Sequence, residues 1–76
     1  MNKQRRGVLE EIFNKLADLH DTLEEVKDEE EYSRNNMPEN LQDSERYEKA
    51  DKAVNDLEDA ISLLEEAMDY IKSAKK

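Results

Sequence analysis

Apolar residues recur with an alternating three-four spacing in the second half of the chain. The series comprises Tyr47, Ala50, Val54, Leu57, Ile61, Leu64, Met68 and Ile71. This spacing places all of its members on one side of a helix, as in the seam of a coiled coil. It predicts a long helix over about residues 44–75.

A second apolar series runs beside this seam on the same helix. It consists of alanines at every seventh position and two larger side chains further round the helix: Ala53, Ala60, Ala67, Ala74, Leu63 and Tyr70. One partner helix covers a seam roughly two heptad positions wide, whereas a face four positions wide needs more than one neighbour. The pattern therefore predicts a homo-oligomer that assembles through the Ala53, Ala60 and Ala67 face.

The first half of the chain carries a similar periodic pattern. Its members are Leu9, Ile12, Leu16, Leu19, Leu23 and Val26. They predict a helix over about residues 3–32, with these side chains facing the second helix. The acidic residues 29–31 lie near its carboxyl end, where they oppose the helix dipole. We expect fraying or an outside partner there.

A polar connector, about residues 33–43, separates the two predicted helices. Asn35 and Asn36 favour a turn, and Pro38 biases the residue before it away from helical angles. Ser44 or Asp43 can then cap the second helix. The connector returns the chain antiparallel, and the seven-residue repeats predict a left-handed crossing of roughly 20°. The expected fold is all-α, with residues 1–76 as a single antiparallel helical hairpin that assembles into a four-helix bundle or a larger homo-oligomer.

The composition narrows the classes of protein to which the chain can belong. Seventy-six residues without cysteine have trouble burying enough apolar surface to fold alone, which again favours assembly. The net charge of −9 disfavours direct binding to nucleic acid or to an anionic membrane, because the long-range field repels both. The basic start is followed by an amphipathic pattern and not by an apolar run. We therefore expect no signal peptide, no membrane span and a cytoplasmic location.

The sequence offers little for catalysis. The single histidine, His20, flanks the first seam, and no cluster of His with carboxylates has the spacing typical of metal ligands. All-helical nucleotide pyrophosphatases hold Mg²⁺ with Glu-x-x-Glu and Glu-x-x-Asp pairs. Glu25 with Asp28 and Glu66 with Asp69 match that spacing, but the register points both pairs to solvent. We therefore expect no enzymatic activity, no metal and no cofactor.

Two features point instead to a small anionic ligand. Cations crowd the start of the first helix, where the dipole disfavours them, and the connector is longer than a simple hairpin needs. In one hairpin these features lie at opposite ends, but in an antiparallel pair the start of one copy meets the connector of the other. The arginines would pair with charge, the amides and the hydroxyl would form hydrogen bonds, and a tyrosine would stack. The predicted site at this subunit boundary comprises Arg5, Arg6, Tyr32, Arg34, Asn36, Asn40, Ser44, Arg46 and Tyr47.

The connector and the helix after it carry a resemblance to a group of proteins. The run from Asn36 to Gln42, the run from Ser44 to Glu48 and the acidic Ala/Leu heptads that follow resemble short, uncharacterised acidic helical proteins of Gram-positive prophages and mobile elements. The likeness covers nearly the whole chain. It implies a genomic setting in which small acidic phage proteins act as counter-defence factors by binding, and it transfers no site residue.

Three functions stay open on the sequence. The most concrete is a counter-defence sponge that sequesters a small anionic signalling nucleotide at subunit interfaces. The first alternative is an acidic, protein-binding inhibitor that imitates the charge of a nucleic acid. That inhibitor would use Glu24, Glu25, Glu58, Glu65, Glu66 and Asp69. The second alternative is a structural assembly adaptor.

Overall fold

Two long helices packed side by side make up most of the described chain, which in this computed structural model comprises residues 1–41 and 44–76. Helix α1 spans Lys3–Asn35, a short 3₁₀ turn spans Glu39–Leu41, and α2 spans Glu45–Ala74. The Cα atoms occupy 59 × 15 × 12 Å. The prediction of an all-helical hairpin is confirmed. The described part does not include Gln42, Asp43 or the side chain of Leu41. The prediction that Asp43 can cap α2 therefore concerns a residue outside the described part.

Side chains cap the amino terminus of each helix. The Asn2 Oδ1 atom accepts a hydrogen bond of 2.8 Å from the backbone N–H of Arg5. The Ser44 Oγ atom accepts one of 3.3 Å from the backbone N–H of Tyr47, as predicted for this serine. Each cap satisfies a backbone donor that the first turn of a helix leaves free.

Helix α1 continues to Asn35, three residues beyond its predicted end, and does not fray at the acidic run. Lys27 lies 2.8 Å from the Asp28 carboxylate and 3.4 Å from that of Glu31. Arg34 follows in the last turn, where a cation is favourable to the helix dipole. These basic groups offset the repulsion among the acids, which explains why the helix persists.

The predicted seam of α2 is confirmed. Val54 is 1% exposed, and Ala50 and Ile61 are also buried. The other members of the seam are half-buried: Tyr47, Leu57, Leu64, Met68 and Ile71. A single hairpin therefore buries a narrow core of small and medium apolar side chains, centred on α2.

The side of α1 that faces α2 differs from the prediction. Three predicted seam residues are half-buried as expected: Leu9, Leu16 and Leu23. The other three are exposed: Ile12, Leu19 and Val26. Half-buried residues four positions after each leucine take their places: Phe13, His20 and Lys27. The expectation that all six apolar residues face α2 is wrong.

The physical reason lies in the side chains at these replacement positions. Phe13 offers α2 an aromatic ring, and the Nζ atom of Lys75 near the end of α2 lies 5.5 Å from the ring centroid. Lys27 lays an aliphatic stem along the seam and keeps its ammonium group near acids at the edge. Each residue advances a helix by about 100°. With these replacement residues facing α2, α1 is therefore rotated about its axis by roughly 50° from the predicted orientation.

Gly7 lies in α1 near its amino terminus and offers a direct test of local helix stability. It is exposed, and a Cβ atom added there would meet nothing within 4 Å. Gly7→Ala is therefore expected to raise the free energy of unfolding by up to about 1 kcal/mol, because alanine loses less backbone entropy in a helix. Urea unfolding followed by circular dichroism measures this. A destabilised Gly7→Ala protein would indicate that another chain approaches the backbone at this glycine.

Candidate functional site

Large apolar side chains remain exposed along both helices. On α1 the aliphatic ones are Val8, Ile12, Leu19 and Val26. On α2 they are Leu63 and Tyr70, which are 65% and 70% exposed. Exposed alanines complete the stripe on α2: Ala60, Ala67 and Ala74. We call these nine residues together the apolar face. Of the three alanines predicted to contact other copies, Ala60 and Ala67 belong to it, whereas Ala53 is half-buried.

The two exposed stripes lie on the same side of the hairpin. His20 approaches Glu65 across the helices, and Arg34 approaches Asp51, so these contacts mark one edge of the seam. Viewed down the axis of α1, its exposed stripe is rotated by roughly 80° from the residues that face α2. The rotation is away from the edge that these two contacts mark. The exposed alanines of α2 are rotated by roughly 90° from the residues of α2 that face α1. This rotation is also away from the marked edge. The two stripes therefore form one continuous surface.

The apolar face is large for a single chain. From Val8 to Val26 it measures about 27 Å at a rise of 1.5 Å per residue, and two adjacent helices are roughly 20 Å across. These dimensions give roughly 500 Å², which is near the upper end for the largest apolar patch of a soluble monomer. Two copies that covered this face would bury about 1,000 Å² in total, the lower range for a specific interface.

Several residues of the predicted ligand site serve the hairpin itself. The Arg34 Nη1 atom donates to Asp51 Oδ1 at 2.8 Å and so joins α1 to α2. The Asn36 Nδ2 atom donates to the Tyr32 carbonyl at 2.7 Å and closes the last turn of α1. Together with the Ser44 cap, these contacts show how the connector ends are held. Tyr47 is half-buried in the seam of α2.

The remaining residues of that predicted site are exposed and lie in two groups. Arg5 and Arg6 lie in the first turns of α1, at the open end of the hairpin. Tyr32, Asn40 and Arg46 lie at the connector end. One hairpin does not bring these two groups together, as the sequence predicts. The site that combines them stays a prediction that depends on a second copy.

A cleft lies at the edge of the seam opposite to the apolar face. It has a volume of about 390 Å³ and is lined by Phe13, Ala17, His20, Asp21, Glu65, Met68 and Asp69. His20 is one of these lining residues, and 16% of its side chain is exposed. Its Nδ1 atom is 3.5 Å from Asp21 Oδ1, and its Nε2 atom is 3.6 Å from both Glu24 Oε1 and Glu65 Oε1.

The electrostatics of this cleft favour positive charge. Burial lowers the pKa of His20, but the carboxylates of Asp21, Glu65 and Glu24 outweigh it and raise the pKa above its usual 6.5. The residues that line the cleft include no lysine or arginine. The protein thus places its single imidazole where several negative groups converge.

No family model, curated protein or solved structure matches this chain. Within residues 1–41 and 44–76, no helix is long and apolar enough to span a membrane.

Sequence reasoning missed the group of acidic side chains around His20. One nitrogen or oxygen atom from each of His20, Asp21 and Glu24 lies within 4.8 Å of the others. The signal was present as an i, i+1, i+4 spacing, which places a histidine and a glutamate on one face of a helix. Glu65 could not be found this way, because its approach depends on the rotation of α1 against α2.

Proposed function

We propose that this chain is a non-enzymatic binding protein whose working form is an antiparallel pair of hairpins, packed as a four-helix bundle through the apolar face. The observation that supports this is the continuous uncovered apolar surface that runs along both helices. A surface of this size exposed to water favours association. A second copy is the occupant that fits it best, because an identical face supplies the same length and the same heptad spacing.

The shape of the apolar face supports an antiparallel pair. The contacts between His20 and Glu65 and between Arg34 and Asp51 set which residues are level across the hairpin. Apart from Val8, the face then has three layers: Ile12 with Tyr70 and Ala74, Leu19 with Leu63 and Ala67, and Val26 with Ala60. In an antiparallel pair centred on the middle layer, the bulky outer layer of one copy meets the small outer layer of the other. Such alternation fills space better than like layers meeting like layers.

Charges at the ends of the face support a site for an anionic ligand in such a pair. Arg5 lies seven residues before Ile12 and Arg46 seven residues before Ala53, so each continues a line of small or apolar side chains along its helix. Neither guanidinium forms an ion pair with the described residues. Antiparallel packing brings the Arg5 end of one copy toward the Arg46 end of the other. A phosphorylated ligand between them, such as a signalling nucleotide, would relieve their repulsion.

Sedimentation equilibrium from low micromolar to near-millimolar protein tests the pair. We expect a mass near twice 8.9 kDa that falls toward the single-chain mass on dilution. A single-chain mass throughout this range would contradict the proposal. The measurement is independent of any ligand.

Calorimetry with a panel of cyclic mononucleotides and dinucleotides tests the ligand. We expect at least one member to bind, and Arg5→Gln with Arg46→Gln to weaken it tenfold or more. Lys49→Gln with Lys52→Gln is the matched control, because it removes the same charge where Glu45 and Asp56 already pair with the lysines. No response from any member would remove the ligand and leave the pair untouched. A basic protein that binds both variants equally would favour the acidic inhibitor instead.

A further inference from the structure

The imidazole of His20 lies where carboxylates from both helices converge. Asp21 Oδ1 is 3.5 Å from its Nδ1 atom, and one oxygen each of Glu24 and Glu65 is 3.6 Å from its Nε2 atom. Asp21 and Glu24 belong to α1, whereas Glu65 belongs to α2. These separations are longer than an ordinary hydrogen bond but within the reach of an ion pair. Each ring nitrogen therefore has an acidic neighbour, and Glu65 reaches the ring across the seam.

The arrangement of these oxygens suits the charged form of the ring. A neutral imidazole carries one N–H, so its other nitrogen turns a lone pair toward a carboxylate, which is repulsive. An imidazolium ion carries an N–H on both nitrogens, and a carboxylate on either side attracts it. The hairpin thus presents His20 with surroundings in which the proton on the second nitrogen decides between attraction and repulsion.

We propose that His20 is a pH-sensitive contact between the two helices. In its imidazolium form the ring attracts Glu65 of α2 and so holds the two helices together near the middle of α1. When the ring loses its proton, this attraction disappears and the hairpin becomes easier to open. The contact lies at the edge of the seam opposite to the apolar face. It therefore acts within each hairpin and does not depend on assembly.

The charged side chains close to the ring are acidic within the described part of the chain. They come from both helices: Asp21 and Glu24 of α1, and Glu65 and Asp69 of α2. A cation, Lys75, lies 5.5 Å from the centroid of the Phe13 ring, but Phe13 precedes His20 by roughly 10 Å along the helix. Water and salt screen much of an interaction over that distance. Burial lowers the pKa of His20, but the carboxylates outweigh it and raise the pKa above its usual 6.5.

The direction of the pH dependence follows from this raised pKa. In the unfolded chain a histidine has a pKa of about 6.5, so the folded hairpin holds the proton of His20 more tightly. The extra stability is fully present below about pH 6.5 and is lost as the pH rises through the higher pKa of the folded protein. Histidine is the side chain whose ordinary pKa lies in this range, and the chain has one.

NMR titration of the imidazole signals tests the contact directly, because the single histidine reports on one site alone. We expect the midpoint in the parent protein to lie above pH 6.5, and Glu65→Gln to lower it. Glu66→Gln is the matched control, because Glu66 is exposed, follows Glu65 and removes the same charge away from the ring. Its midpoint should stay at the parent value. A parent midpoint at or below pH 6.5, or no larger change in Glu65→Gln than in Glu66→Gln, would overturn the proposal.

Thermal unfolding followed by circular dichroism, at one fixed protein concentration, tests the effect on the fold. From about pH 6 to about pH 8.5, the melting temperature of the parent protein is expected to fall by several degrees. His20→Gln should lose at least about half of this change. The comparison isolates the ring, because the terminal amino group titrates in the same range in both proteins. An equal fall in the parent protein and in His20→Gln would contradict the proposed contact.

Discussion

Replacing Ala60 and Ala67 with glutamate is expected to convert the paired protein into single hairpins or unfolded chains. Both alanines lie on the apolar face, where packing against a second copy would remove their side chains from water. A carboxylate buried there without a partner costs several kcal/mol, and the double variant introduces two in each copy. Light scattering should show a mass near 8.9 kDa in place of twice that value.

The control for this experiment adds the same charge to the same helix on another side. Asn55 and Ser62 are exposed and seven residues apart, and they turn away from the apolar face. Asn55→Glu with Ser62→Glu is therefore expected to keep the mass of the pair. If the Ala60 and Ala67 double variant also keeps its mass and its helical signal, the apolar face does not join copies, and the proposed function loses its support.

The second large effect is expected inside the hairpin. Ile61→Ala should lower the free energy of unfolding by about 2–5 kcal/mol, because it deletes a buried branched side chain from the middle of the α2 seam. A core this small supplies only about 3–5 kcal/mol in total. The variant should therefore lose most of its cooperative unfolding transition at room temperature. Thermal and urea unfolding followed by circular dichroism, at one fixed protein concentration, measure this.

Ser62→Ala provides the comparison, since Ser62 is the next residue along α2 and is exposed. Its effect should stay within about 0.5 kcal/mol, as for most surface substitutions. A loss below about 1 kcal/mol for Ile61→Ala would show that the centre of stability lies outside the hairpin seam, for example in contacts between copies.

The residues of the predicted ligand site have different structural roles. Arg34, Asn36 and Ser44 hold the connector end of the hairpin, which accounts for part of the polar character that suggested a ligand. The side chains of Arg5 and Arg46 make no contact of this kind with the described residues. They are therefore the most informative positions for a binding experiment, whereas substitutions of the other three would also disturb the fold.

Local interactions determined what the sequence alone predicted correctly. The three-four spacing of α2 defined a seam centred on Val54 and Ile61, and the side chain of Ser44 could cap the helix that follows it. Both depend on residues within a few positions of each other. These local interactions predict each helix without reference to any distant contact.

Only the tertiary structure decided which side of α1 faces α2. The apolar pattern of the helix favours the line through Ile12, Leu19 and Val26, but the structure turns the line through Phe13 toward α2. The choice depends on how side chains of both helices fill the shared space, which is a non-local property. That rotation freed Leu19 for the apolar face, and it brought His20 to Glu65, where the local pattern could not place them.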